Sequence, residues 1–94
     1  MISREIQIEN KVGLYAKPAT QFTQCATSFR SDIYVQRNEK RANAKSLLGI
    51  LSLAICCGTT ITLTAEGPDE KEAIEALEAL LTKELDENSS TVFA

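Results

Sequence analysis

Two short segments of the sequence carry side chains that can hold or accept a phosphoryl group. The first is the segment of residues 13–20, GLYAKPAT, in which Pro18 fits the first turn of a helix. Backbone N–H groups at a helix start face outward, and the helix dipole favours negative charge there. Ala16 and Lys17 are therefore candidates for holding a phosphate or carboxylate. On spacing alone, a plain helix start remains the commoner explanation.

The second segment is KSLLG, residues 45–49, in which a serine directly precedes an apolar run. Such a serine is typical of a helix N-cap. A phosphoryl group on Ser46 would add negative charge at the positive end of the helix, where it is favourable. Lys45 is a further candidate for binding an anion. The alternative is that Ser46 is only a cap.

Four leucines accompany these segments: Leu14, Leu47, Leu48 and Leu51. A short helix this apolar cannot bury every side, so some of the four are expected to form an exposed patch for a partner. The alternative is that all four belong to the core.

The chain contains no histidine, and no P-loop or zinc spacing is present. We therefore predict a non-enzymatic protein that needs neither a cofactor nor a metal. The three cysteines are Cys25, Cys56 and Cys57. The adjacent pair could form a vicinal disulfide or a soft-metal site. The preferred interpretation is a buried, reduced pair at a helix end, because free cysteine is among the most buried residue types.

The elements that must position these residues are indicated by hydrophobic periodicity. Alternating apolar residues predict strands around Ile2–Ile8, Ile33–Val35, Arg41–Ala44 and Ile61–Ala65. Apolar stripes predict helices after Pro18 (to about Arg30), after Ser46 and after Asp69. The order β-α-β-β-α-β-α predicts a two-layer α+β fold, with helices on one face of the sheet and water on the other.

Charge is distributed unevenly along the 94 residues. Residues 1–45 hold eight bases and four acids, whereas residues 66–94 hold two bases and nine acids. With a net charge of -3 and no basic, aromatic-lined stripe, nucleic-acid binding is not expected. The uncharged run from Ser46 to Ala65 contains six Ser/Thr and two Gly, so it predicts a helix, a turn and a strand, not a membrane span. One cytoplasmic domain over residues 1–85 is expected, with a flexible tail at 86–94.

Both segments resemble motifs of the HPr phosphocarrier family of the sugar phosphotransferase system. Residues 13–20 are similar to the phosphocarrier signature G-[IL]-H-A-R-P-A, and residues 43–53, NAKSLLGILSL, resemble the family's serine site. The resemblance spans about residues 1–85. It implies an open-faced sandwich, in which a four-stranded antiparallel sheet carries three helices on one face.

The resemblance breaks at one decisive position, because Tyr15 stands where the family signature has its phosphoacceptor histidine. An imidazole yields a transferable phosphoramidate, whereas a phenol gives a much more stable phosphoester. Lys17 stands at the arginine position and lacks the planar bidentate grip on phosphate. The serine site is complete, which is the pattern of histidine-lacking, Crh-like members.

This pattern implies a regulatory protein phosphorylated on Ser46. The partners it implies are an HPr kinase/phosphorylase and a LacI-type catabolite repressor, and the docking residues are Leu14, Thr20, Leu47, Leu48 and Leu51. The alternative is a phosphocarrier-type component, or an engineered variant, that docks enzyme I with Tyr15 as a dead-end acceptor. Whether the chain forms a homodimer stays open.

Overall fold

The structure, a computed structural model, describes residues 1–9 and 13–84, without the side chains of residues 83 and 84. The predicted tail at 86–94 lies outside the described residues. The element order confirms the predicted one. The elements are β1 (Ile2–Gln7), α1 (Ala16–Thr27), β2 (Asp32–Arg37), β3 (Lys40–Asn43), α2 (Leu47–Ser52), β4 (Thr60–Glu66) and α3 (Glu70–Ala79), followed by a π-helical turn (Leu80–Glu84).

The four strands form one antiparallel sheet in the order β1-β4-β2-β3. The register pairs Ile6 with Ile61 and Val35 with Leu63, so apolar residues of three strands share one face. These side chains are buried beneath the helices, and the threonines that alternate with them on β4 are partly or fully exposed. The predicted two-layer fold is confirmed.

Helix α1 packs its predicted stripe onto this face. Ala19, Phe22 and Ala26 are fully buried, and Phe29 packs against the core from its edge. The helix ends at Thr27, about three residues earlier than the periodicity predicts. The reason lies in Ser28, whose N–H and hydroxyl both donate to the Cys25 carbonyl, at 3.1 and 2.6 Å. That carbonyl is thereby occupied, and the last turn tightens.

Helix α3 begins after Asp69, as predicted, but the Asp69 side chain does not cap it. Its carboxylate instead accepts hydrogen bonds from the Ser31 hydroxyl (2.5 Å) and from the N–H groups of Arg30 and Ser31 (both 2.9 Å). The neighbouring Glu70 accepts from the Gly67 N–H at 3.0 Å and lies 3.0 Å from the N-terminal ammonium of Met1. These carboxylates join the start of α3 to the turn between α1 and β2 and to the start of β1.

We expect acid to weaken the fold through these two groups. The Ser31 hydroxyl holds the pKa of Asp69 below its ordinary value, and the Gly67 N–H does the same for the pKa of Glu70. A carboxyl whose pKa is lower in the folded than in the unfolded chain stabilises the fold above its unfolded pKa. That stability is lost as the pH falls through the folded value, so the urea midpoint should drop below about pH 4.5.

The Asp69→Asn variant should show a flatter acid dependence of the urea midpoint than the native chain. The matched control is Glu75→Gln, which removes an exposed carboxylate of the same helix that has no hydrogen bond among the described residues. If the urea midpoints of Asp69→Asn and Glu75→Gln fell equally steeply with decreasing pH, Asp69 would not be the source of the acid dependence.

The predicted burial of the cysteine pair is wrong. Cys56 and Cys57 are exposed and free, and only Cys25 is half-buried. Helix α2 ends at Ser52, and Ile55 is the last buried residue before the pair. Cys56 and Cys57 therefore lie in a solvent-exposed turn. The Thr59 N–H donates to the Cys56 carbonyl at 3.0 Å, and Gly58 has a φ of +92°.

No helix among the described residues is both long and apolar enough to cross a membrane.

Candidate functional site

The loop that enters α1 presents Tyr15 to solvent. Tyr15 occupies the N-cap position in an extended conformation, its side chain is 62% exposed, and it makes no cap hydrogen bond. The next residue, Ala16, has a φ of +56°, in the left-handed region that is costly for a residue with a Cβ. The loop therefore combines an exposed side chain that does not cap the helix with a strained residue directly after it.

Leu14 lies on the other side of this loop and is only 1% exposed. Its N–H donates to the Ile55 carbonyl at 3.0 Å, which draws the loop against the segment that follows α2. Gly13 makes this approach possible, with a φ of +72° and room for no Cβ beside the Ile55 carbonyl and the Cys56 Cα. Leu14 is thus a core residue, and its predicted role in a docking patch is corrected.

Lys17 and Thr20 lie on the first turns of α1. Lys17 is exposed, as an anion-binding lysine requires. Thr20 is half-buried, and its hydroxyl donates to the Ala16 carbonyl at 3.3 Å. The predicted roles of both residues stay predictions.

Ser46 is exposed and is the N-cap of α2, as the sequence predicts. Its side-chain oxygen accepts from the Gly49 N–H at 3.1 Å, and its carbonyl accepts from the Ile50 N–H at 3.0 Å. The cap satisfies a backbone donor that the helix itself leaves unpaired. The residue is exposed, and its predicted role as a phosphoacceptor stays a prediction.

Lys45 contributes to the placement of this cap. Its ammonium donates to the Phe29 carbonyl at 2.8 Å, across 16 residues of sequence, and its N–H donates to the Asn43 side chain at 2.8 Å. A lysine ammonium has three donors, so two remain beside this bond. Lys45 therefore joins the start of α2 to the turn that follows α1, and its predicted anion-binding role stays a prediction.

The three leucines of α2 differ in exposure. Leu48 is 81% exposed and Leu47 is 38% exposed, whereas Leu51 is half-buried against the core. Two large apolar side chains therefore face water directly after Ser46. Because α1 and α2 pack together, the segments that contain Tyr15 and Ser46 begin neighbouring helices.

Among the described residues, no three groups of metal-ligating type come together.

Comparisons with known proteins agree with this geometry. The family model "PTS HPr component phosphorylation site" matches residues 2–83. The HPr-like protein Crh of Halalkalibacterium halodurans is 48% identical over 84 residues, which cover 89% of this chain and all of Crh.

Two solved structures extend the comparison. HPr-C-His from Thermoanaerobacter tengcongensis superposes with a TM-score of 0.89 at 46% identity, covering 90% of this chain and 96% of its own. Crh of Bacillus subtilis, described as a swapped dimer, has a TM-score of 0.71 at 42% identity, covering 88% of this chain and 95% of its own.

Proposed function

Because the chain belongs to the HPr family of the phosphotransferase system, with Crh proteins among its relatives, we propose that it is a regulatory phosphoacceptor modified on Ser46. Members of this family are phosphocarrier proteins and not enzymes. The observation that carries the proposal is Ser46 itself: an exposed hydroxyl at a helix start, directly followed by the exposed side chains of Leu47 and Leu48.

The absence of histidine from the sequence supports a regulatory role over a carrier role. A carrier must release its phosphoryl group as readily as it accepts it. The phenol of Tyr15, at the position assigned to the carrier histidine, would form a phosphoester that does not transfer onward at a useful rate. The serine site requires only acceptance, followed by removal by an enzyme.

A phosphoryl group on Ser46 would change the surface at that helix start. It would bring about two negative charges and three strong acceptor oxygens beside the apolar side chains of Leu47 and Leu48. Such a surface suits a partner that offers basic groups around an apolar pocket. The proposed partners are an HPr kinase/phosphorylase, which modifies Ser46, and a LacI-type catabolite repressor, which binds the modified form in the cytoplasm.

The test is incubation with ATP and an HPr kinase/phosphorylase, followed by intact-mass analysis. We expect the native chain to gain the mass of one phosphoryl group, and a fragment spectrum to place it on Ser46. Ser46→Asp is the matched control, because aspartate also accepts from the N–H groups of a helix start but offers no hydroxyl. A native chain that stays unmodified, or a Ser46→Asp chain that gains the same mass, would contradict the proposal.

A second candidate function is supported by the exposure of Tyr15 and the strain at Ala16. In this alternative the chain docks enzyme I without relaying phosphate, and Tyr15 is at most a dead-end acceptor. Incubation with enzyme I and phosphoenolpyruvate separates the two. A stable label on Tyr15 would favour the docking alternative.

A further inference from the structure

A cleft separate from both phosphoacceptor positions contains the exposed cysteine pair. It has a volume of about 420 Å³ and lies between the β2–β3 turn and the loop that leads into β4. It is lined by Arg37, Asn38, Cys56, Cys57, Gly58, Thr59 and Thr60. Among the described residues of this lining, Arg37 carries the one charged side chain, so it is the group there that would attract an anionic ligand.

Arg37 reaches the cleft because of its place in the strand. It follows Ile33 and Val35 at two-residue spacing, on the side of β2 that the helices cover, but it lies at the end of the strand beyond them. Its Nε atom is closed off from solvent and has no hydrogen-bond partner among the described residues. Within the same residues its guanidinium forms no ion pair. A buried donor without a partner is uncommon in proteins, and an acceptor on a bound ligand is one group that would satisfy it.

The two thiols have different hydrogen-bond partners. The Cys56 Sγ lies 3.4 Å from the Thr59 Oγ1, which already accepts from the Cys56 N–H at 3.2 Å. The Thr59 hydroxyl hydrogen is therefore free to point at the Cys56 sulfur and to stabilise negative charge there. The Cys57 Sγ instead donates to the Glu9 carbonyl at 3.6 Å, an interaction that only the protonated thiol can make. Of the pair, Cys56 is the better placed nucleophile.

We propose that this cleft is a thiol-modification site, in which Cys56 forms a mixed disulfide with a small carboxylate-bearing disulfide that Arg37 holds. The Cys56 thiol gives its proton to solvent, and its thiolate attacks one sulfur of the reagent. The reagent's S–S bond breaks as the new S–S bond forms. The departing thiolate takes up a proton and leaves as a free thiol. The protein thiol and the reagent disulfide are thus converted into a mixed disulfide and a reagent thiol, and the reagent disulfide is the oxidant.

The site goes beyond the function proposed for Ser46 and does not depend on it. It is joined to the Tyr15 loop by backbone, because the Leu14 N–H bonds to the Ile55 carbonyl and Gly13 lies against the Cys56 Cα. A tripeptide-sized group on Cys56 would therefore lie beside the segment that positions Tyr15. Modification here would alter the surface around the start of α1 while leaving the core in place.

The test compares two reagents on the reduced full chain, with rates of mixed-disulfide formation followed by intact mass. Glutathione disulfide is the carboxylate-bearing reagent, and hydroxyethyl disulfide is the neutral one. Arg37→Gln should slow the reaction with glutathione disulfide about fivefold and leave the neutral reagent's rate unchanged. Added salt should reduce the native chain's preference for the anionic reagent.

Four further variants test the separate roles of the two thiols and of the threonine hydroxyl. Cys56→Ser should abolish most of the fast reaction, whereas Cys57→Ser should preserve it. Thr59→Val should slow both reagents alike, and Thr59→Ser should restore the rate, because it keeps the hydroxyl. Equal rates for the two reagents on the native chain, an Arg37→Gln rate unchanged for both, or modification mainly of Cys57 or Cys25 would overturn the proposal.

Discussion

Replacing Tyr15 by histidine should convert a chain that takes no transferable phosphoryl group from enzyme I into one that does. The position is accessible, since Tyr15 is 62% exposed, its side chain makes no hydrogen bond among the described residues, and it lies at the start of a 12-residue helix. An imidazole is a nucleophile at neutral pH and releases a phosphoryl group readily, which a phenol does not. The Tyr15→His chain should gain an acid-labile label from phosphoenolpyruvate and enzyme I, where the native chain shows none.

Lys17→Arg, added to Tyr15→His, should raise the rate of labelling by about tenfold, because a guanidinium grips phosphate through two parallel bonds and an ammonium does not. Tyr15→Phe is the control for loss of the phenol without gain of an imidazole, and it should stay unlabelled. An acid-labile label on the native chain would contradict both this expectation and the regulatory function.

The second large effect is expected at Gly13, and it concerns stability. A Cβ on residue 13 would lie 2.4 Å from the Ile55 carbonyl oxygen and 2.6 Å from the Cys56 Cα, at a φ of +72°. Backbone atoms cannot move aside as a side chain can, so the loop must leave the Ile55 segment or distort it. Gly13→Ala should therefore cost about 3 kcal/mol of unfolding free energy, from a total of about 5–10 kcal/mol for a domain of this size.

Gly58→Ala is the matched control for this prediction. Gly58 also has a positive φ, +92°, but a Cβ there meets nothing within 4 Å. The Gly58→Ala variant should therefore lose only the free energy of the backbone strain, about 1 kcal/mol of unfolding free energy. Urea unfolding followed by circular dichroism measures both variants. Equal losses would mean that the approach of Gly13 to Ile55 contributes nothing.

The sequence predicts the fold well because local pattern and tertiary burial agree along most of the chain. Two-residue alternation identifies β4, whose Ile61, Leu63 and Ala65 are all buried. The serine at position 46 predicts a cap, and the Gly49 N–H donates to it. Asn38, in the turn between β2 and β3, has a φ of +56°, a conformation that asparagine adopts more readily than most residues.

The features that the sequence does not reveal depend on contacts between residues distant in sequence. Leu14 lies in a loop with no periodicity, and its burial follows from its bond to Ile55. Lys45 is tied to Phe29 by a bond that no local pattern encodes. The left-handed conformation of Ala16 has no signal in its residue type, since alanine disfavours it. Among the described residues, the close approach of Gly13 to Ile55 helps to fix the course of that loop.

For the candidate site, the sequence identifies the candidate acceptor side chains but not their surroundings. Ser46 and Tyr15 are both exposed, as an acceptor must be, and both begin helices. The Arg37 cleft, in contrast, joins a hairpin turn to a loop about 20 residues further along, and no motif marks it. The signal that was present is the alternation that places Arg37 on the covered side of β2, at the end of the strand.

The position of β3 at the rim of the sheet bears on how the protein behaves when concentrated. β3 is an edge strand of the sheet. The outer side of an edge strand presents unpaired N–H and C=O groups, with which a strand of another molecule can pair. Here the rim is only four residues long and begins with Lys40 and Arg41. If two molecules paired through their β3 edges, these cations would be brought together. Their electrostatic repulsion therefore opposes edge-to-edge aggregation. Added salt weakens that repulsion, and dense solutions should therefore be least tolerant of high ionic strength.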